Sequence, residues 1–278
     1  MFSVLILTKN EEINLEDCLK SISFCDDIWI LDSGSTDRTL EIAERHGCHI
    51  LKRPFDNFGD QRNYAIDTAQ FKYRWVFDLD ADERFTTELK AECDEMVRKD
   101  EKSAYYCSYK NIMWGKWLKH STGFPVYQMR FHKLGEIRFV GHGHGQREGE
   151  AQRGIGYLKE PYIHYNFSKG LAEWFAKHVD YARREALVRL EEEAGRCEKV
   201  FGNDKMARRR RLIRFSQSLP CKPFLKFFYV YVVKMGFLDG WAGFQFARMQ
   251  CWYQFATDSI YHDLRTAKTQ EEDLCSKC

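Results

Sequence analysis

The chain has 278 residues, of which 44% are hydrophobic and 15% aromatic, ample for one large or two small packed domains and inconsistent with a disordered chain. A formal net charge of +2 provides no global field for nucleic acid, and no run reaches the roughly 18 apolar residues of a membrane-spanning helix. Ten cysteines are scattered along a chain that opens on a strand-like segment instead of a secretory leader, which reads as free thiols in a reducing cytoplasm; the lone CxxC of Cys275 and Cys278 lacks a second ligand pair for zinc.

In chain order, residues 2–7, 28–31 and 75–79 are apolar and rich in β-branched or aromatic side chains, with a shorter piece at 49–51, and predict buried strands. Helical patterns lie between them at 13–23, at 36–46 with Ser35 as N-cap and Gly47 as stop, and at 57–69. Strands alternating with helices predict an α/β fold, a mostly parallel sheet with helices on both faces. A further helix at 86–99 and a strand at 104–109 follow. Residues 115–156, rich in Gly, His and aromatics, read as irregular substrate-facing loops. From Ser168 to Gly195 a long helix carries an apolar stripe of Leu171, Trp174, Phe175, Val179, Ala182, Ala186 and Leu190. The expected organisation is a catalytic domain at 1–165 and a helical extension at 166–278.

Ligands of such sheets bind beyond the carboxyl ends of the strands, where three polar clusters fall: Thr8-Lys9-Asn10-Glu11-Glu12, Asp32-Ser33-Gly34-Ser35-Thr36-Asp37 and Asp80-Ala81-Asp82-Glu83. Each alone is ordinary turn chemistry, but three at successive strand ends predict one site. Alternation along a strand would point Asp80 and Asp82 the same way, so that they could share a hard divalent cation whose remaining positions take water and phosphate oxygens. The alternative is a surface turn before a helix, where acids also favour the first turn.

With LTKNEE, DSGSTD and LDADE in this order, the chain resembles family 2 glycosyltransferases of the GT-A fold, which move a sugar from a nucleotide diphosphate. QRNYAID, HYNFSKG and GFLDGWAGF make it similar to the branch that builds bacterial lipopolysaccharide core, capsule and exopolysaccharide. The resemblance implies inversion and a UDP-sugar donor. It implies that Leu7, Thr8, Lys9, Glu12 and Asp32 hold the nucleoside, with Asp32 accepting from the uracil N3–H, and that Arg62 pairs with the diphosphate. Asp80 would face the ribose and metal, Asp82 would be the principal ligand of Mg²⁺ or Mn²⁺, and His164 would complete the metal or diphosphate shell. The general base falls in Gly141-His142-Gly143-His144-Gly145-Gln146-Arg147-Glu148, where many relatives have Val-His-Glu; Gly145 replaces that acid, leaving Glu148 as the first choice and His144 as its rival. The two histidines could equally satisfy backbone groups of a Gly-rich loop. Arg130 reads as a phosphate or acceptor contact or as an internal brace; Trp114, Trp117 and Phe124 read as acceptor-stacking or buried aromatics.

The acceptor implied is a glycan or glycolipid, and the place is the cytoplasm, with peripheral contact at the inner membrane as one of two readings of the basic-aromatic stretch Arg208-Arg209-Arg210-Arg211 to Lys234. That stretch suits either a helix lying on an anionic membrane or a tail packed on the core with a solvated basic face. Two rival functions stay open: a sugar-phosphate nucleotidyltransferase, which would want a Gly-rich loop after the first strand, and a non-catalytic binding member, suggested by Gly145.

Overall fold

The computed structural model describes residues 1–142, 145–149, 151–193 and 221–276, with backbone only at 141, 142, 145–148, 192, 193, 269 and 271–276. The chain forms two compact units, Met1–Lys119 with Gly123–Gly170, and His120–Thr122 with Leu171–Cys278.

The first unit begins with β1 (Ser3–Thr8), α1 (Glu12–Ser21), β2 (Ile28–Asp32), α2 (Thr39–Arg45), β3 (His49–Lys52), α3 (Phe58–Thr68) and β4 (Trp75–Asp80). The four strands pair in parallel in the order β3-β2-β1-β4, with Thr8 beside Asp32, Asp32 beside Lys52 and Leu7 beside Asp80. This register brings the polar strand ends level. Val4, Ile6, Ile30, Phe77 and Leu79 are buried, as expected for parallel strands covered on both faces.

Helix α3 is capped by Asn57, whose side chain accepts from Asp60 N–H at 2.9 Å, and α4 (Thr87–Lys99) by Thr86, which accepts from Leu89 N–H at 3.2 Å. Helix α2 starts at Thr39, three residues later than expected, because the Ser35 hydroxyl donates to Asp32 and Asp37 accepts from Thr39 N–H. Local side-chain bonds to the turn compete with the helix for those residues.

The segment expected to be irregular instead contributes several strands. After β5 (Glu83–Arg84) and β6 (Ala104–Met113) come β7 (Lys116–Trp117), β8 (Tyr127–Lys133), β9 (Phe139–His142), β10 (Gly145–Glu148), β11 (Ile155–Tyr157) and β12 (Tyr162–His164). β8 runs antiparallel between β4 and β6, so the sheet is mixed rather than parallel throughout. β12 is parallel to β6 and antiparallel to β5, with His164 opposite Glu83. β8 escaped the apolar pattern because Arg130, His132 and Lys133 are buried in it and matched by acids.

The second unit contains α5 (Gly170–Glu193), α6 (Lys222–Phe228), a π-helical turn Tyr229–Val233, a 3₁₀ turn Gly236–Asp239 and α7 (Gly240–Ser276). Trp174, Ala182 and Ala186 of the α5 stripe are buried, whereas Val179 is exposed. The Asp239 carboxylate accepts from the backbone N–H groups of His120 and Ser121 and from the Ser121 hydroxyl. Gly243 is required beside it, since a Cβ there would collide with the Gly236 carbonyl. Among the described residues no helix is long and apolar enough to cross a membrane.

Candidate active site

The loops after β1 and β2 are stitched together. Asn10, at φ 55°, donates its backbone N–H to Ser35 Oγ at 2.8 Å and accepts from Thr36 N–H at 2.8 Å. Glu11 N–H donates to Thr39 Oγ1 at 2.7 Å, Glu12 N–H to Asp37 Oδ2 at 3.1 Å, and Arg38 N–H to Glu12 Oε2 at 3.1 Å. Leu7, Thr8, Lys9, Glu12 and Asp32 therefore stand on one preformed ledge. Asp32 differs from its expected presentation: it is 1% exposed, and its carboxylate accepts from Thr8 and Ser35 hydroxyls and from Gly34 and Ser35 N–H. Four donors fill the lone-pair positions of a carboxylate, so a further donor reaches Asp32 only by displacing one of the two hydroxyls, which are free to rotate.

The acids beside the ledge are sorted by two arginines. β4 ends at Asp80, and Asp82 lies in the following turn, so strand alternation is not what places the pair. Arg130 Nη2 donates to Asp80 Oδ2 at 2.7 Å and Glu83 Oε1 at 2.6 Å, while its Nε donates to Tyr162 Oη at 3.2 Å. Arg62 Nη2 lies 3.6 Å from Asp80, and its Nε 3.1 Å from Asp78, which also faces His132 Nε2 at 3.3 Å. Arg62 and Arg130 are 4% and 3% exposed. Arg62 is therefore committed to internal acids rather than presented to a diphosphate, and Arg130 takes the bracing one of its two readings.

Burial disfavours the ionised forms of both Asp80 and Glu83. For Asp80 the charges of Arg130 and Arg62 more than offset this and hold its pKa below the usual carboxylate range. Glu83 shares Arg130 with Asp80, whose charge opposes its own, and burial pushes it up to about 8. A raised pKa stabilises the fold fully below the unfolded value of 4.5, and that contribution is lost as pH rises through about 8. Glu83→Gln in chelator-treated protein is expected to flatten the fall of Tm across this window; an unchanged Tm profile would show that Glu83 is ionised throughout.

The structure brings Asp82 and His164 together. His164 Nε2 lies 3.3 Å from Asp82 Oδ2, and Tyr165 N–H donates to the Asp82 carbonyl at 2.8 Å. Burial opposes protonation of His164, but Asp82, Glu83 and Asp80 raise its pKa above the ordinary value. Among the described residues no three acids, histidines or cysteines converge on a metal position. A partly exposed carboxylate and an imidazole at this spacing nevertheless fit a divalent cation that keeps most positions for water and phosphate oxygens. Asp80, engaged by two guanidiniums, fits that role less well.

Three contributors stand outside the site residues read from the sequence, Asp78, Tyr162 and Lys169, while Glu83, read there only as part of the acidic cluster, shares Arg130 with Asp80. An acid in the middle of an apolar strand was the available signal for Asp78. Lys169 donates to Glu11 Oε1 at 2.6 Å, which places a cation beside the ledge, but nothing local in the sequence announces that contact.

Helix α3 links these parts. The Gln61 side chain donates to the Pro54 carbonyl at 2.9 Å. Asn63 donates to the Phe139 carbonyl at 2.7 Å and accepts from Phe139 N–H at 3.0 Å. Phe139 pairs with Glu148 across the β9–β10 hairpin, so Asn63 anchors the strand pair carrying the expected base. The side chain of Glu148 and the whole of His144 lie outside the described residues. Asn63→Ala, which leaves both buried Phe139 groups unpaired, is expected to cost about 1–3 kcal/mol in urea unfolding; a change near zero would mean the hairpin is anchored elsewhere. Trp114 is 55% exposed, and Trp117 packs edge-on to Phe124 at 5.1 Å.

A β3-β2-β1-β4 sheet with loops meeting at its strand ends and an acidic turn after β4 is the GT-A fold of nucleotide-sugar transferases. The chain belongs to glycosyl transferase family 2, whose family model matches residues 3–149. A glycosyltransferase of Rickettsia bellii is 31% identical over 104 residues, 37% of this chain and 35% of that protein. The lipopolysaccharide core biosynthesis glycosyltransferase LpsC of Rhizobium meliloti is 31% identical over 100 residues, 34% of this chain and 36% of LpsC. The matched stretch thus spans about a third of each relative. Among solved structures, S. aureus TarS 1–349 in complex with UDP-GlcNAc is 14% identical, with TM-score 0.45, covering 96% of this chain and 92% of that one. Glucosyl-3-phosphoglycerate synthase from Mycobacterium tuberculosis in complex with Mn²⁺, UDP and glucosyl-3-phosphoglycerate is 16% identical, with TM-score 0.46, covering 73% and 82%.

Proposed function

We propose that this enzyme transfers a sugar, with inversion, from a UDP-sugar to a bacterial surface glycan acceptor such as lipopolysaccharide core or a lipid-linked saccharide, at the cytoplasmic face of the inner membrane. The observation that carries the reading is the Asp82–His164 pair, 3.3 Å apart, in the turn beside the ledge of Thr8 to Glu12. Those two residues would hold Mg²⁺ or Mn²⁺, which when bound stabilises the charge growing on the departing nucleoside diphosphate. Asp80 positions the turn through Arg62 and Arg130 and faces the ribose. Leu7, Thr8, Lys9, Glu12 and Asp32 seat the nucleoside, with the Thr8 or Ser35 hydroxyl turning away from Asp32 as the base arrives. Glu148 takes the acceptor hydroxyl proton as the oxygen attacks the anomeric carbon opposite the leaving group, with His144 next in line. The name of the Rhizobium relative supports the acceptor class.

The test is UDP, GDP or CDP release from a panel of nucleotide sugars with lipid-linked saccharide acceptors, with and without chelator, and proton NMR of the new linkage. Metal-dependent UDP release with an inverted anomer is expected; release from GDP- or CDP-sugars alone, or retention, would overturn the donor or the stereochemistry. Glu148→Gln is expected to lower turnover about a hundredfold or more without weakening UDP binding. Undiminished turnover would pass the role of base to His144.

A further inference from the structure

Residues 222–241 of the second unit carry a helix face inverted relative to an ordinary surface helix. Exposed positions along α6 and the π-helical turn come as adjacent pairs four residues apart: Phe224 and Leu225, Phe228 and Tyr229, Val232 and Val233, each 44–75% exposed. Positions four apart fall on one side, so the pairs form a continuous two-row stripe. Phe237 and Trp241, at 47% and 64%, continue the exposed apolar surface through the 3₁₀ turn into α7.

The cations of this segment lie on other rows. Lys222 Nζ donates to Asp258 Oδ1 at 3.0 Å, and Lys234 Nζ donates to the Thr122 carbonyl at 3.3 Å. Lys226, four residues after Lys222, is only partly exposed. A solvated helix would show the reverse arrangement, charges outward and apolar rows inward. The packed tail with a solvated basic face, one of the two readings of this stretch, is therefore not what α6 and the π-helical turn form. Contiguous exposed apolar surface of this kind marks an interaction site.

Charge selects the occupant. From Lys205 to Leu238 the sequence contains nine Lys or Arg and no Asp or Glu, in a chain whose 43 basic and 41 acidic residues nearly balance. A second copy of this surface would bring the same cations against them. A bilayer with anionic headgroups offers acyl chains to the apolar rows and negative charge to a stretch of sequence that carries cations and no acids. We infer that the face from Phe224 to Trp241 inserts into the headgroup–acyl boundary of an anionic lipid surface. This gives the membrane contact in the proposed function a defined surface, and it stands or falls separately from donor chemistry.

The experiment is flotation of the full chain with phosphatidylethanolamine–phosphatidylglycerol vesicles and with pure phosphatidylcholine vesicles, together with tryptophan quenching by lipids brominated in the acyl chain. Wild type is expected to float with the anionic vesicles and more weakly with the neutral ones, and brominated chains should quench its emission. The combined variant Phe224→Ser, Phe228→Ser, Trp241→Ser should reduce the bound fraction at least about tenfold while keeping its helical content and UDP affinity. Trp241→Ser alone should remove most of the quenching, a readout that survives if the triple variant folds poorly. Absence of flotation, flotation unaffected by the triple variant, or quenching unaffected by Trp241→Ser would overturn the inference. So would a wild-type dimer that the triple variant converts to monomer without any lipid binding, since the occupant would then be a second copy. Intact UDP binding beside failed flotation would refute only the lipid surface; flotation beside failed UDP binding would refute only the donor reading.

Discussion

Asp82→Ala is expected to fold normally and to lose transfer by about a thousandfold or more, because stabilising a departing nucleoside diphosphate is worth several kcal/mol and each ~1.4 kcal/mol is tenfold in rate. The geometry favours a clean experiment. Asp82 lies in a turn with its side chain 22% exposed, and the bond that organises that turn, from Tyr165 N–H, goes to its backbone carbonyl, which alanine retains. Lost activity with an unchanged Tm would therefore report chemistry rather than collapse. Turnover within about tenfold of wild type would remove Asp82 from the metal role.

Arg130→Ala is expected to act on the fold itself, lowering stability by about 3–5 kcal/mol, because it strands the Asp80 charge and takes a buried hydrogen-bond partner from Glu83 and Tyr162. Glu83 and the Arg130 guanidinium are both buried, and Asp80 is partly so. The pH dependence has a definite sign. Asp80, whose pKa is lowered by Arg130 and Arg62 against the effect of burial, contributes stability above its unfolded value of 3.8 that is lost as pH falls through the lower folded value. Without Arg130 that contribution should shrink, so the wild-type advantage over Arg130→Ala should be larger at neutral pH than near the acid limit. Urea midpoints across this range provide the check. A loss below about 1 kcal/mol at neutral pH would mean that water or Arg62 already compensates the acids.

Part of this architecture was legible in the sequence because it is written in local pattern. β1, β2 and β4 are short apolar runs each ending in a polar cluster, and parallel register then sets Thr8, Asp32 and Asp80 level. The parts that were not legible depend on distant partners. β8 reads as polar because its Arg130, His132 and Lys133 are faced by Glu83, Asp78 and Asp100, acids up to 54 residues earlier in the chain. For the same reason Arg62 looked available to a phosphate: sequence shows the guanidinium but not the two aspartates that take it up. Asp32 looked like an open acceptor, yet its own turn supplies four donors. In α6 the sequence showed cations interleaved with aromatics but not which row faces out, and the exposed rows proved to be the apolar ones.

In the proposed function the Asp82–His164 pair beside the strand-end ledge binds a nucleoside diphosphate through a divalent cation. Calorimetric titration of UDP into the purified protein, with Mn²⁺ or Mg²⁺ and again with chelator, tests it most directly, with GDP and CDP as comparisons. UDP binding is expected to require metal, to exceed that of GDP and CDP, and to disappear in Asp82→Ala. UDP binding of equal strength in chelator, or none with either metal, would contradict it.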